Sequence, residues 1–130
     1  MLNSSEILLA ILLSVTDGDT IKVTIPNIPI IFGKEIGVRV AGIDTPELHS
    51  KCKEERELAE KATEFTKNFL SNSKYIELKN PARDMYFRID AEVYVDGKSL
   101  SQELLTANLA KPYYGGTKTP WCAPDYSSLL

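Results

Sequence analysis

The hydrophobic period of this chain changes near Glu54, and that change limits what the chain can fold into. Before it, "TIKVTI" (20–25) alternates, with Ile21, Val23 and Ile25 on one face and Lys22 and Thr24 on the other, as a half-buried strand does. "EIGVRVAGI" (35–43) also has strand character. From Glu54, Leu58, Ala62, Phe65 and Phe69 recur at three to four residues while Glu57, Lys61, Glu64 and Lys67 fill the other side. "EERELAEKATEFTKNFL" (54–70) is therefore expected to be an amphipathic helix. The shorter period then returns in "KYIELK" (74–79) and "RIDAEVYV" (88–95), the latter closed by Asp96 and Gly97. Ser99 with Gln102 fits a capping box, and Leu100, Leu104 and Leu105 give a short second helix an apolar side.

At the N-terminal side, "ILLAILL" (7–13) reads as a buried first strand that turns at Asp17 and Gly18. It is too short to span a bilayer, and no lysine or arginine precedes it as in a signal peptide. "PNIPIIFGK" (26–34) reads as a loop or edge, and 111–130 as a loop-like tail rich in Gly, Pro and Ser. About five strands with one helix after the third and another after the last do not suit a parallel sheet, which needs a helix in every crossover. The expectation is an α+β fold, a five-stranded oligonucleotide-binding (OB-fold) β-barrel with two helices, in a single domain over residues 1–130.

A net charge of -3 and a pI near 5.2 leave no basic footprint, so any phosphate binding must come from a few placed cations. The candidates sit around "VAGIDTPE" (40–47), where Pro46 fixes its own φ and restricts Thr45, holding Asp44 and Glu47 in set directions. Taken alone, "DGDT" (17–20) is ordinary hairpin chemistry. If Asp19 and Asp44 converge from neighbouring strands, however, their charges repel unless a cation lies between them. Oxygen donors without His or Cys suit calcium, magnesium or manganese and not zinc. Arg39 and Arg88 are each surface ion-pair partners on the plain reading and bidentate phosphate ligands on the functional one. Strict alternation sets Arg39 and Asp44 on opposite faces, unless a bulge at Gly42 resets the register. His49 is expected in an exposed loop, "KCKEERE" (51–57) as a solvated helix start, and Trp121 as an anchor for the tail. Cys52 and Cys122 lack zinc-site spacing; a bridge between them and two unpaired buried thiols both remain open.

Together, "DGDT" (17–20), "RVAGIDTPE" (39–47), "DMYFR" (84–88), "YVDGK" (94–98) and "NLAKPYY" (108–114), with a helix after the second, resemble the staphylococcal nuclease (thermonuclease) family. The resemblance implies a calcium-dependent endonuclease acting on DNA and RNA, cleaving on the 5' oxygen side to leave 3'-phosphate ends. It makes Asp19, Asp44 and the Thr45 carbonyl ligands of one calcium ion, Glu47 the general base or water-orienting residue, and Arg39 and Arg88 the catalytic arginines. Tyr86, with Tyr113 or Tyr114, would hold the nucleotide. Met85 stands where the family often has a phosphate-contacting lysine, and Phe87 replaces a glycine. No third, C-terminal helix is expected. The alternative is a nuclease-like module that binds nucleic acid or a protein partner without cleaving. A monomer without membrane association is expected. A Cys52–Cys122 bridge would tie the tail across the fold and imply export; free thiols would imply the cytoplasm.

Overall fold

A computed structural model describes residues 6–83 and 88–123. In chain order the elements are β1 (Ile7–Asp17), β2 (Thr20–Thr24), α1 (Ile30–Gly33), β3 (Ile36–Val40), β4 (Ile43–Asp44), α2 (Lys53–Leu70), β5 (Ile76–Arg83), β6 (Ile89–Val95), β7 (Lys98–Ser99), α3 (Leu100–Thr106) and β8 (Lys111–Pro112). Strands β3, β2, β1, β5 and β6 pair antiparallel in that order, and a parallel pairing of β3 with β6 closes them into a five-stranded barrel. This is the expected α+β OB-type architecture, in which closure removes the unpaired sheet edges. Ile21, Val23, Val38, Val40, Ile76, Leu78 and Val93 fill its interior, and Leu70, Leu100 and Leu104 cover the core from α2 and α3.

The first strand differs from expectation. Only Ala10 is fully buried, with Leu8, Leu12 and Val15 packed on the core, whereas Ile7, Leu9 and Leu13 are about half exposed. A barrel strand has one inner and one outer face, so a continuous apolar run cannot all go inside. β1 pairs with β5 through Ile7–Ala10 and with β2 through Ile11–Asp17, and register shifts after Leu12 and Val15 bend it around the barrel.

Two loops also differ from expectation. The segment read as a loop at 26–34 contains the one-turn helix α1, whose Ile30, Ile31 and Phe32 are exposed. The Asp96–Gly97 turn behaves as expected, with φ of 52° and 80°, the left-handed pair that a tight hairpin requires. The β1–β2 turn is formed by Gly18 and Asp19, one residue later than read, with Asp17 paired to Thr20.

Helix α2 packs on that turn more closely than its large apolar residues would allow. Its buried seam is Ala59, Ala62, Thr66 and Leu70, with Phe65 and Phe69 only partly buried beside it. A Cβ on Gly18 would lie 2.9 Å from the Ala62 Cβ and 3.1 Å from Thr45, and the Thr66 hydroxyl donates to the Gly18 carbonyl at 2.8 Å. Small residues thus bring α2 against the turn that carries Asp19.

Candidate active site

Asp19 is 6% exposed and its carboxylate is gripped from three sides. The Thr45 N–H donates to Oδ2 at 3.0 Å, Arg39 approaches the same oxygen at 3.2 Å, and the Thr20 hydroxyl donates to Oδ1 at 3.0 Å. The β2–β3 register explains the arginine, because Arg39 stands opposite Thr20. Asp17 lies alongside and accepts the Asp19 N–H at 3.2 Å. Burial pushes the Asp17 carboxyl from its ordinary 3.8 up to about 7, with the hydrogen bond and negative charge of Asp19 adding to the shift.

The second carboxylate comes from the Thr45–Pro46 corner. After Val40 the chain turns at Ala41 and Gly42, where φ is +83°, and restarts as β4. The register reset expected at Gly42 is therefore a turn and not a bulge within one strand. β4 pairs with β8, setting Asp44 opposite Lys111 and drawing the tail over the site. Asp44 is 5% exposed; its Oδ1 faces the Lys118 ammonium at 3.2 Å and its Oδ2 accepts the Trp121 indole N–H at 3.1 Å. Beyond Pro46, the Glu47 N–H donates to Glu55 Oε2 at 2.8 Å, leaving the Glu47 side chain exposed. Glu55 also accepts the Ser50 hydroxyl at 2.7 Å and is itself only 9% exposed. The helix start expected to be solvated thus buries one of its acids to hold the corner.

Asp19, Asp44, Thr45, Glu47, Arg39 and Arg88 line one polar cleft of about 210 Å³, joined by Asp17, Thr20 and Lys118. Arg88 precedes β6, beside β3, and its Cγ would lie 3.4 Å from a Cβ on Gly37, so the glycine leaves room for the arginine stem. A neighbouring cleft of about 430 Å³ shares Arg39 and Arg88 and includes Tyr113 and Tyr114. Tyr113 is tied down by its N–H to the Gly42 carbonyl at 2.9 Å and its hydroxyl to the Gly116 carbonyl at 2.8 Å, while Tyr114 is 90% exposed. Tyr86 lies outside the described residues, as do Met85 and Phe87.

The donor set suits a hard cation. The cleft offers carboxylate oxygens and no His or Cys, and the ammonium at Asp44 is already a cation held there. Among the described residues only Cys52, Glu55 and Cys122 bring three possible ligand atoms within 4.8 Å of one another, and those two sulfurs are bonded to each other. The carboxylates lining the cleft do not bring three such atoms that close together. His49 is exposed, as expected.

Asp17, Glu55, Lys118 and the contact of Trp121 with Asp44 were not legible as site features. Asp17 carried a turn signal, Glu55 sat in a charge run, and Lys118 and Trp121 lie in a tail whose position over the site depends on β8 and the Cys52–Cys122 bridge.

A closed OB-type barrel whose polar cleft sets carboxylates beside two arginines defines the class of fold and site. The particular family follows from comparison with known sequences: a family model described as "Staphylococcal nuclease homologue" matches residues 37–128, and the chain belongs to that family. It is similar to Endonuclease YncB of Bacillus subtilis, 39% identical over 100 residues, covering 75% of this chain and 44% of the relative. The SPbeta prophage-derived endonuclease YokF of the same organism is also 39% identical over 100 residues, covering 75% of this chain and 32% of the relative. Thermonuclease of Staphylococcus hyicus is 32% identical over 98 residues, covering 75% of this chain and 54% of the relative. The chain spans about half or less of these relatives' length.

Proposed function

We propose that this chain is a metal-dependent endonuclease that hydrolyses phosphodiester bonds of DNA and RNA. The observation that carries the reading is the convergence of Asp19, Asp44, Glu47, Arg39 and Arg88, drawn from four parts of the sequence, on one cleft. A binding module would not require a complete set of this kind.

Asp19, Asp44 and the Thr45 carbonyl would hold one calcium ion. When bound, the ion supplies positive charge to offset the phosphate and the charge that develops on it during attack. Arg39 and Arg88 contribute directional N–H donors to the same task, aimed at oxygens that grow more negative in the transition state. Glu47 is exposed on a corner whose backbone is fixed, so it can accept or direct the proton of an attacking water. Tyr113 and Tyr114 border the adjoining cleft, where a nucleoside would lie. Departure of the 5' oxygen would leave 3'-phosphate ends. The Cys52–Cys122 bridge favours an exported enzyme, since disulfides persist in oxidising compartments, and the enzyme is proposed to act as a monomer. Among the described residues no helix is long and apolar enough to cross a membrane.

The test incubates purified protein with end-labelled single-stranded DNA and RNA in calcium and then in chelator. Calcium-dependent cleavage with 3'-phosphate products is expected. Binding without cleavage in any divalent ion would instead establish the non-cleaving module.

A further inference from the structure

Both oxygens of Asp44 are engaged by the tail, one by a charged group and one by a neutral donor. We propose that Lys118 is the resident counter-ion of the cleft, an ammonium that a divalent cation displaces before Asp44 can ligate it, so that the tail tunes metal affinity. The inference rests on the metal-dependent reading above and adds a residue outside its ligand and catalytic set.

The two tail contacts differ in what they permit. The Trp121 N–H carries no net charge and touches only Oδ2, so it can stay in place and keep the carboxylate oriented while an ion approaches Oδ1. The Lys118 ammonium lies 3.2 Å from Oδ1, and two cations cannot share that position without repulsion. Asp44 has a side chain only 7% exposed, so little water stabilises its charge when the ammonium leaves. Lys118 has a side chain 45% exposed, and besides Asp44 its ammonium meets the Tyr113 ring at 5.5 Å from the centroid, a weak contact that it can give up for solvent.

The tail is built to keep that ammonium close. Cys122, next to Trp121, is bonded to Cys52 ahead of α2. Lys111 donates to the Pro120 carbonyl at 2.7 Å and sits over the Trp121 ring at 4.3 Å. These attachments turn Lys118 into an intramolecular competitor with a high effective concentration at Asp44.

Isothermal titration of calcium into the bridged protein tests this without reference to catalysis. Lys118→Met is expected to tighten calcium binding about two- to fivefold, the scale of one partly exposed ion pair. Lys61→Met, an exposed lysine on α2, controls for overall charge and is expected to leave the affinity unchanged. In a Cys52→Ser, Cys122→Ser background the gain from Lys118→Met should shrink, because the tail no longer holds the competitor in place. Unchanged or weaker binding by Lys118→Met, in a parent that binds calcium, overturns the inference and leaves the nuclease reading intact. No calcium binding by parent or variant overturns both. An equal gain with and without the bridge removes the tether from the account.

Discussion

Glu47 combines an exposed carboxylate with a backbone held at 2.8 Å by Glu55, so the group can meet a water molecule while the corner that presents it stays in place. Glu47→Gln keeps this shape and removes the base. It is expected to leave calcium and nucleotide binding near the parent values and to lower turnover by about 10²- to 10⁴-fold, measured at saturating calcium. Unchanged turnover would take Glu47 out of the chemistry. Arg88→Ala should damage both steps, raising KM and lowering kcat by ~10²- to 10³-fold, since its donors meet phosphate in the ground state and in the transition state. A cleavage rate equal to the parent's would refute its assignment. At this scale the sequence was most legible where residues are neighbours: Asp44, Thr45 and Glu47 share one corner, whereas Asp19, Arg39 and Arg88 could be named as candidates but their meeting there could be posed only as a condition. Trp121 was not legible as a site residue, because its hydrogen bond to Asp44 joins positions 77 apart.

Between elements, the spacing of α2 from the β1–β2 turn decides where Asp19 sits. Gly18 reads in sequence as a turn residue, yet its φ is not left-handed, and what the site requires is the absence of a side chain beneath Ala62 and Thr45. Gly18→Ala is therefore expected to cost about 1–3 kcal/mol of stability by urea denaturation, the usual range for overpacking a tight contact. A cost near zero would mean that α2 yields without strain. The helix itself was readable from its period, and its solvated face at Glu57, Lys61, Glu64 and Lys67 is exposed as expected. Of its buried seam only Ala62 was legible as apolar face, because small Ala59 and hydroxyl-bearing Thr66 carry little hydrophobic signal but permit the closest approach. β1 erred in the opposite direction, since an unbroken apolar run hides the alternation that a barrel wall imposes.

For the molecule as a whole, the bridge joins residues 70 apart with Cα atoms 5.9 Å from each other, fastening the tail ahead of α2. Closing a loop of that length lowers the entropy of the unfolded chain, which chain models put at roughly 4 kcal/mol at best. Reduction, or Cys52→Ser with Cys122→Ser, should lower the urea midpoint, and the loss of unfolding free energy derived from it should lie within that limit. Intact-mass analysis after alkylation should find neither thiol free without reductant; two labelled thiols in the folded protein would refute the bridge. The positions of most strands and of the two longer helices could be anticipated because alternation and period are local properties. The tail's path was legible only in part: the covalent bond was one of two alternatives open for its cysteine, whereas the pairing with β4 gave no sequence signal. That path has an optical consequence. Trp121 is the chain's one tryptophan, its indole N–H rests on a carboxylate of the cleft and Lys111 lies over its ring, so the intrinsic fluorescence of the native protein is a label already installed at the site, and its emission should respond when an ion or a nucleotide arrives.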